Sequence, residues 1–367
     1  LARASRVGTL GSSMETATRT DRPGTHMPQI DGLRAIAALL VVYAHWLPLR
    51  FRAGFPVGGM GVHLFFVISG FLITGILLRC RGLAPTGFSL RAFYVRRALR
   101  ILPLYYLVLA VTLVLDVAGV REMFGWHVSY LSNFYFFLRG DWNGYTSHFW
   151  TLAVEEQFYL CWPLLMLLLP ENRLALATGL LIGVGVASHF LLPILLPTNP
   201  LVLTLPSFAF PALGSGALLA LAAAGKVRPF VSLCAFGVPA FVLFQVLRFL
   251  GLNASITRPA RDLAFVVVAT WLVGTAATGF RGPVGRFLSW SPLTYIGRIS
   301  YGIYLLHHLA TPTIEAVGQW LQAEWLLHGP LKYAARAALT VGTASLSWAC
   351  FEGPLNRLKE RFPYRRL

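Results

Sequence analysis

Gln29–Pro48 reads QIDGLRAIAALLVVYAHWLP, an apolar run carrying Asp31, Arg34 and His45. An α-helix rises about 1.5 Å per residue, so a run of this length crosses roughly 30 Å of hydrocarbon. Arg34 and His45 stand eleven positions apart, roughly three turns, which puts both side chains on one face and separates them by about 16 Å in depth. An ionisable group in the bilayer interior costs roughly 2.5–3.5 kcal/mol on insertion scales and by default faces a cavity and carries function. Two readings stay open at this point: the pair lines a polar interior, or each side chain snorkels to its nearer interface.

The rest of the chain repeats the pattern. Of its 367 residues, 56% are hydrophobic and 12% charged, against roughly 25% charged in soluble domains. Apolar runs of spanning length occur at 29–48, 60–79, 100–117, 148–169, 174–193, 203–224, 230–250, 262–280, 293–314 and 331–351. This is the signature of an all-α, polytopic membrane protein with about ten transmembrane helices. The aromatic segment 126–138 is too short to span and is expected along the surface or as a re-entrant piece. Residues 1–28 are polar and basic and are expected to be mobile, with no role assigned to 1–13 ahead of Met14; 29–354 forms the membrane domain and 355–367 a basic tail. No stretch reads as a cleavable signal peptide.

The formal net charge of +17 suggests a nucleic-acid partner until its distribution is considered. With ten spans and a cytosolic N-terminus, 21 of the 31 Lys and Arg fall on the cytosolic side and 9 opposite, with Arg34 within the first span. The positive-inside rule accounts for this excess, places both termini in the cytosol and leaves no need for nucleic acid. Cys80, Cys161, Cys234 and Cys350 lack metal-ligand spacing and read as free core cysteines.

Five further stretches carry groups capable of chemistry. Gly58–Thr74 (GGMGVHLFFVISGFLIT) brings His63 and Ser69 among small residues that permit close helix approach; Ser69 lacks a G-x-S-x-G setting, so helix packing is its plainer reading. Arg96, Arg97 and Arg100 cluster at the expected cytosolic mouth of the third span, where Arg96 and Arg100 share a face and can grip one anionic group; Arg298 is a weaker helper. His148–Tyr159 (HFWTLAVEEQFY) contains Trp150 and the adjacent Glu155 and Glu156, at least one of which must face a polar interior. A carboxylate at that depth can orient His45 and raise its basicity; a structural ion pair is the alternative. Ser300–His308 (SYGIYLLHH) places Tyr304 and His308 four apart on one face, able to hold a substrate, while His307 and His308 diverge too far on a helix to chelate one metal ion. Glu352 closes the last span and caps it or pairs with Arg357. Asp31, one turn before Arg34, can neutralise it.

Taken in order, Ile30-Asp-Gly-Leu-Arg34 with His45, Gly61–Phe71, the Arg97-x-x-Arg100 pair, Phe149–Tyr159 and Ile299–His307 make the chain resemble acyltransferase family 3, the bacterial membrane-bound O-acyltransferases. The resemblance covers Gln29 to about Pro354. It implies transfer of an acyl group, often acetyl, from cytosolic acyl-coenzyme A to a hydroxyl of a sugar, lipid-linked glycan or sugar-bearing natural product, in the bacterial cytoplasmic membrane; the residue pattern itself indicates no metal. It also implies roles for Arg34, His45, Arg97 with Arg100, Glu155 and Glu352; the longer arginine cluster here leaves open whether Arg96 or Arg97 partners Arg100. Members acting on envelope polymers often carry an appended esterase-like domain, and its absence from this sequence tilts expectation towards a small or lipid-linked acceptor such as a macrolide. The rivals are a non-catalytic transporter or flippase, which predicts internal repeats that are not seen here, and a relay enzyme that passes its acyl group to a partner.

Overall fold

The computed structural model describes residues 27–48 and 54–364, and among these there is no β-strand. The N-terminal segment, Arg50 and Arg52, and the end of the basic tail lie outside the described residues. The helices are α1 (Pro28–Trp46), α2 (Val57–Cys80), α3 (Thr86–Val114), α4 (Val120–Val128), α5 (Ser132–Arg139), α6 (Trp150–Leu168), α7 (Leu174–Leu195), α8 (Phe210–Ala223) and α9 (Gly237–Phe249). They continue as α10 (Ala254–Thr278), α11 (Gly282–Leu288), α12 (Ser291–Arg298), α13 (Ser300–Leu306), α14 (Ala310–Trp320), α15 (Glu324–Leu327), α16 (Leu331–Ser347) and α17 (Gly353–Arg357).

Helix α2 is apolar on all sides, and such a helix must be surrounded. It packs against α1, α8, α10 and α6, and Val67 and Ile73 are fully buried. Glycine sets how closely α8 comes. A Cβ on Gly70 would stand 2.0 Å from the Leu213 carbonyl oxygen, and one on Gly216 2.1 Å from that of Val67. The two backbones therefore meet at a reciprocal glycine crossing, the close approach that drives association where lipid removes the hydrophobic advantage of burial.

The outward faces are apolar as well. Leu107, Val111, Leu164, Leu180, Leu191 and Leu243 are all exposed, a belt that only lipid can cover at low cost. Among the described residues, four helical segments are long and apolar enough to cross a membrane: Val57–Cys80, Thr86–Val114, Glu171–Leu195 and Ala254–Thr278. Phe210–Ala223 and Leu233–Phe249 are shorter apolar helices.

Three sequence expectations change here. The third helix begins at Thr86 rather than near residue 100, so Arg96, Arg97 and Arg100 sit in its middle turns and not in its first; amphipathic turns ahead of an apolar run lengthen a helix without registering as hydrophobic. The run 203–224 opens with two short 3₁₀ turns, Val202–Thr204 and Pro206–Phe208, before α8, because Pro206 and Pro211 each lack an N–H for a continuous ladder. The run 293–314 is three helices, α12, α13 and α14, broken at Ile299 and again across residues 307–309. The second break matters most, because it lifts His307 and His308 out of regular helix. The aromatic segment resolves into α4 and α5, too short to span as expected.

Two contacts tie elements on the side expected to be cytosolic. Arg81, just after α2, donates to the carbonyls of Met166 and Leu169 at the end of α6, satisfying acceptors that a helix C-terminus leaves unpaired. Lys226 pairs with Glu171 across the surface.

Candidate active site

His45 occupies the last turn of α1, where its Nδ1 lies 3.0 Å from the Val41 carbonyl oxygen. A carbonyl only accepts, so Nδ1 carries the proton and Nε2 the lone pair. His307, in the turn after α13, lies across from it: its Nδ1 is 2.8 Å from the Tyr304 carbonyl oxygen and its Nε2 3.1 Å from His45 Nδ1. The same logic puts the His307 proton on Nδ1 and aims its Nε2 lone pair at the His45 N–H. His45 is thus held in the one tautomer whose Nε2 can take a proton, by a backbone carbonyl and a second imidazole together. Trp46 Nε1 donates to the His307 carbonyl at 3.0 Å, which fixes that turn to α1.

Two more imidazoles complete the cluster. The His308 ring centre is 4.9 Å from that of His45, and its Nδ1 is 2.9 Å from the Tyr145 carbonyl oxygen. His148, in the 3₁₀ turn Ser147–Phe149 that opens α6, lies 4.8 Å from His307 and 6.2 Å from His45, ring centre to ring centre. Tyr304 OH bonds the Thr151 hydroxyl and donates to the His148 carbonyl oxygen at 3.2 Å, so α13 and the start of α6 are locked together. His307, His308 and Tyr304 were singled out in the sequence; His307 and His308 stand beside His45, and Tyr304 stands beside His307 and His148. The expectation that Tyr304 and His308 share a helical face does not hold, because the helix ends between them. His148 received no role from the sequence; a lone histidine ahead of an aromatic run carries no sign of which distant loop it faces.

A second group of polar residues lies deeper along α1. Asp31 pairs with Arg34 at 4.0 Å. Arg34 interacts electrostatically with Arg97, Tyr159 and Glu155, and Arg100 with Arg34, Arg97 and Glu352. The Arg97 guanidinium sits 4.8 Å over the Tyr159 ring. Tyr159 OH donates to Ser69 Oγ at 3.0 Å and Ser69 Oγ donates to Glu155 Oε1 at 2.6 Å. Glu155 therefore belongs to the arginine group, and an orienting contact on His45 comes from His307. Glu156 lies within electrostatic reach of Arg97 and Glu155, and of Tyr105, Tyr130 and Tyr301 as well. Ser69 serves the Glu155 carboxylate rather than simple helix packing. Glu352 is buried at the end of a π-helical turn, Trp348–Glu352, and accepts from Ser347 Oγ at 2.9 Å; such turns recur at functional sites.

Four expected residues lie elsewhere. Arg96 does not face the arginine group: its guanidinium donates to the carbonyls of Lys359 and Phe362 at 2.7 and 3.1 Å and lies 4.8 Å over the Tyr364 ring. It anchors the C-terminal tail, and Arg97 is the partner of Arg100. Arg298 is exposed at the end of α12. His63 sits with Asp262, His189 and Arg261 between α2, α7 and α10, and Trp150 packs on Trp142, ring centres 6.2 Å apart. Among the described residues, no three His, Cys, Asp or Glu side chains are disposed to hold a metal ion.

The chain is 30% identical to the peptidoglycan O-acetyltransferase OatA of Listeria monocytogenes over 334 residues, covering 82% of this chain and 52% of that protein. It is 31% identical to the putative peptidoglycan O-acetyltransferase YrhL of Bacillus subtilis over 326 residues, 79% of this chain and 50% of that one. It is 27% identical to the O-acetyltransferase OatA of Staphylococcus aureus over 363 residues, 90% and 57% respectively. The chain thus spans about half the length of these relatives. No solved structure matches it with significance. A family model described as an acyltransferase domain matches residues 27–351, and with that match over most of its length the chain belongs to acyltransferase family 3.

Proposed function

We propose that this protein is a membrane-bound O-acyltransferase that moves an acyl group, acetyl by analogy with its relatives' names, from acyl-coenzyme A to a hydroxyl of a carbohydrate or sugar-bearing acceptor. The observation that carries the reading is the His45 tautomer: an imidazole at the end of an apolar helix, its proton held on Nδ1 by the Val41 carbonyl and His307, presents Nε2 as the basic nitrogen, a general base near neutral pH. Arg34, Arg97 and Arg100 supply the cationic group that phosphates of the donor require, roughly one pantetheine length deeper along α1. Glu155 and Glu352 keep that group from carrying an excess of uncompensated charge. Phosphates enter from the cytosol, the thioester reaches His45, and the acceptor hydroxyl meets it there. The basic-residue distribution supports cytosolic termini and a cytosolic donor, and the bacterial relatives support the cytoplasmic membrane.

Membership of an acyltransferase family displaces the transporter alternative. The relay reading keeps one specific support: the relatives named for peptidoglycan O-acetylation are about twice as long as the region they share with this chain. The test compares purified wild-type and His45→Ala protein in nanodiscs, following thiol release from acetyl-coenzyme A with and without sugar-bearing acceptors. Acceptor-stimulated release lost in His45→Ala is the expected result, with a fall of about 10²–10⁴-fold for loss of a general base. Equal release by the two proteins overturns the role of His45. Release of acyl groups only when a partner protein is added favours the relay.

A further inference from the structure

The four imidazoles of the cluster do not have equivalent hydrogen bonding. His45, His307 and His308 each place Nδ1 within 3.0 Å of a backbone carbonyl oxygen, of Val41, Tyr304 and Tyr145 respectively. Their protons are committed to the backbone. His148 is 3% exposed, and neither its Nδ1 nor its Nε2 has a hydrogen-bond partner; the Leu305 backbone approaches the ring without reaching hydrogen-bond geometry. A neutral imidazole always bears one N–H, and burying that donor unpaired costs on the order of 1–3 kcal/mol. A protein carries such a cost where something else completes the bond. His148 faces the acyl-transfer centre, with its ring 6.2 Å from that of His45 and 5.3 Å from that of His308.

We infer that His148 is a catalytic residue of the acyl transfer, donating its unpaired N–H to the thioester carbonyl oxygen as that oxygen becomes an oxyanion. The inference rests on the function proposed above. The acceptor hydroxyl oxygen forms a bond to the thioester carbonyl carbon while its proton passes to His45 Nε2. The carbonyl π pair moves onto oxygen, where the His148 N–H receives it. Collapse restores the carbonyl, breaks the C–S bond and returns the proton from His45 to the leaving sulfur, so the products are the ester and the free thiol. The division of labour follows from the hydrogen bonds: His45 has a lone pair oriented by His307, and His148 has the uncommitted donor. A buried N–H aimed at developing negative charge costs little reorganisation when the charge appears. Anchoring by Tyr304, which bonds both Thr151 and the His148 carbonyl, keeps the donor in place.

The test measures acetyl-coenzyme A thiol release and ester formation by wild-type, His148→Ala, His148→Gln and His45→Ala proteins in nanodiscs, each checked for the wild-type elution profile. His148→Ala is expected to lose about 10²–10³ in kcat, the usual effect of one oxyanion donor, with KM for acetyl-coenzyme A within about threefold. His148→Gln, which retains an N–H, is expected to recover at least tenfold of that loss. The acidic limb of the pH profile is expected to stay where it was in His148→Gln, because it belongs to His45 with its neighbours His307, His308 and Tyr304. Wild-type kcat in His148→Ala, or equal loss in the Ala and Gln variants, overturns the inference while the His45 result still stands. Loss of the acidic limb in His148→Gln also overturns it, by making His148 the base. Absence of acceptor-dependent release by the wild-type protein is a separate failure, that of the proposed function itself.

Discussion

His307 Nε2 stands 3.1 Å from His45 Nδ1 although 262 positions of chain separate the two residues. The contact closes α1 onto the turn after α13, and it gives His45 an orienting partner of a kind usually supplied by a carboxylate. A neutral imidazole orients without adding charge, which suits a site next to hydrocarbon, where an unpaired carboxylate is costly.

Because His45 is held by both Val41 and His307, removing His307 weakens the base without abolishing it. His307→Ala is expected to lower kcat about 10- to 100-fold, less than the loss in His45→Ala. His307→Gln, with an amide oxygen able to accept from the His45 N–H, should regain part of it. Steady-state thiol release on the three variants checks this, and an unchanged kcat in His307→Ala would remove His307 from the mechanism.

Arg96 and Arg100 are predicted to separate in effect, although both belong to one cluster in the sequence. Arg96→Ala releases two carbonyls and the Tyr364 ring in the C-terminal tail, so faster proteolysis after Lys359 and Arg361 is expected with KM for acyl-coenzyme A within about twofold. Arg100→Ala is expected to raise that KM about tenfold or more, the scale of one charge-assisted contact to phosphate. A larger KM effect from Arg96→Ala than from Arg100→Ala would reverse the assignment.

The crossing of α2 and α8 leaves no room for a methyl group. Gly70→Ala and Gly216→Ala each place a Cβ about 2 Å from a carbonyl oxygen of the facing helix, and neither backbone can yield cheaply. A loss of about 1–3 kcal/mol or more is expected for each, read as a lowered thermal midpoint in detergent. Gly59→Ala, whose Cβ meets nothing within 4 Å, should leave the midpoint within a degree or two.

His127 gives a pH signature outside the apolar spans. Burial lowers its pKa from 6.5 to about 4, while Nε2 bonds Thr146 Oγ1 at 2.9 Å. The folded protein therefore binds this proton less readily than the unfolded chain. Stability from this group is whole above pH 6.5, declines as pH falls from there to about 4, and by then has dropped about 3 kcal/mol. Thermal midpoints across pH 4–7 should show this slope in the wild type and a shallower one in His127→Gln; identical slopes would exclude His127 as its source.

Much of the architecture was legible in the chain because its physical origin is local. Apolar runs report helices whatever surrounds them, and the runs at α2 and α7 became helices close to where they were read, while α10 begins at Ala254, ahead of the run 262–280. Boundaries failed where the cause was not hydropathy. Thr86–Arg100 is polar enough to pass for a loop, yet it is the first half of α3; residues 307–309 are apolar enough to pass for helix, yet they turn.

The candidate site divides along the same line. The sequence by itself determined that Arg34 and His45 share a face at different depths, that arginines and glutamates lie within apolar surroundings, and that Tyr304, His307 and His308 form one segment, since helical periodicity and the cost of buried charge operate within single helices. Only the tertiary structure decided which of these groups meet. It gave Arg96 to the tail and Arg97 to the arginine group, assigned Glu155 to Ser69, and made His307 the partner of His45 with His148 beside it. Those pairings depend on helix crossings and on breaks in helices far apart in the chain, and directional hydrogen bonds at about 3 Å distinguish arrangements that periodicity leaves equivalent.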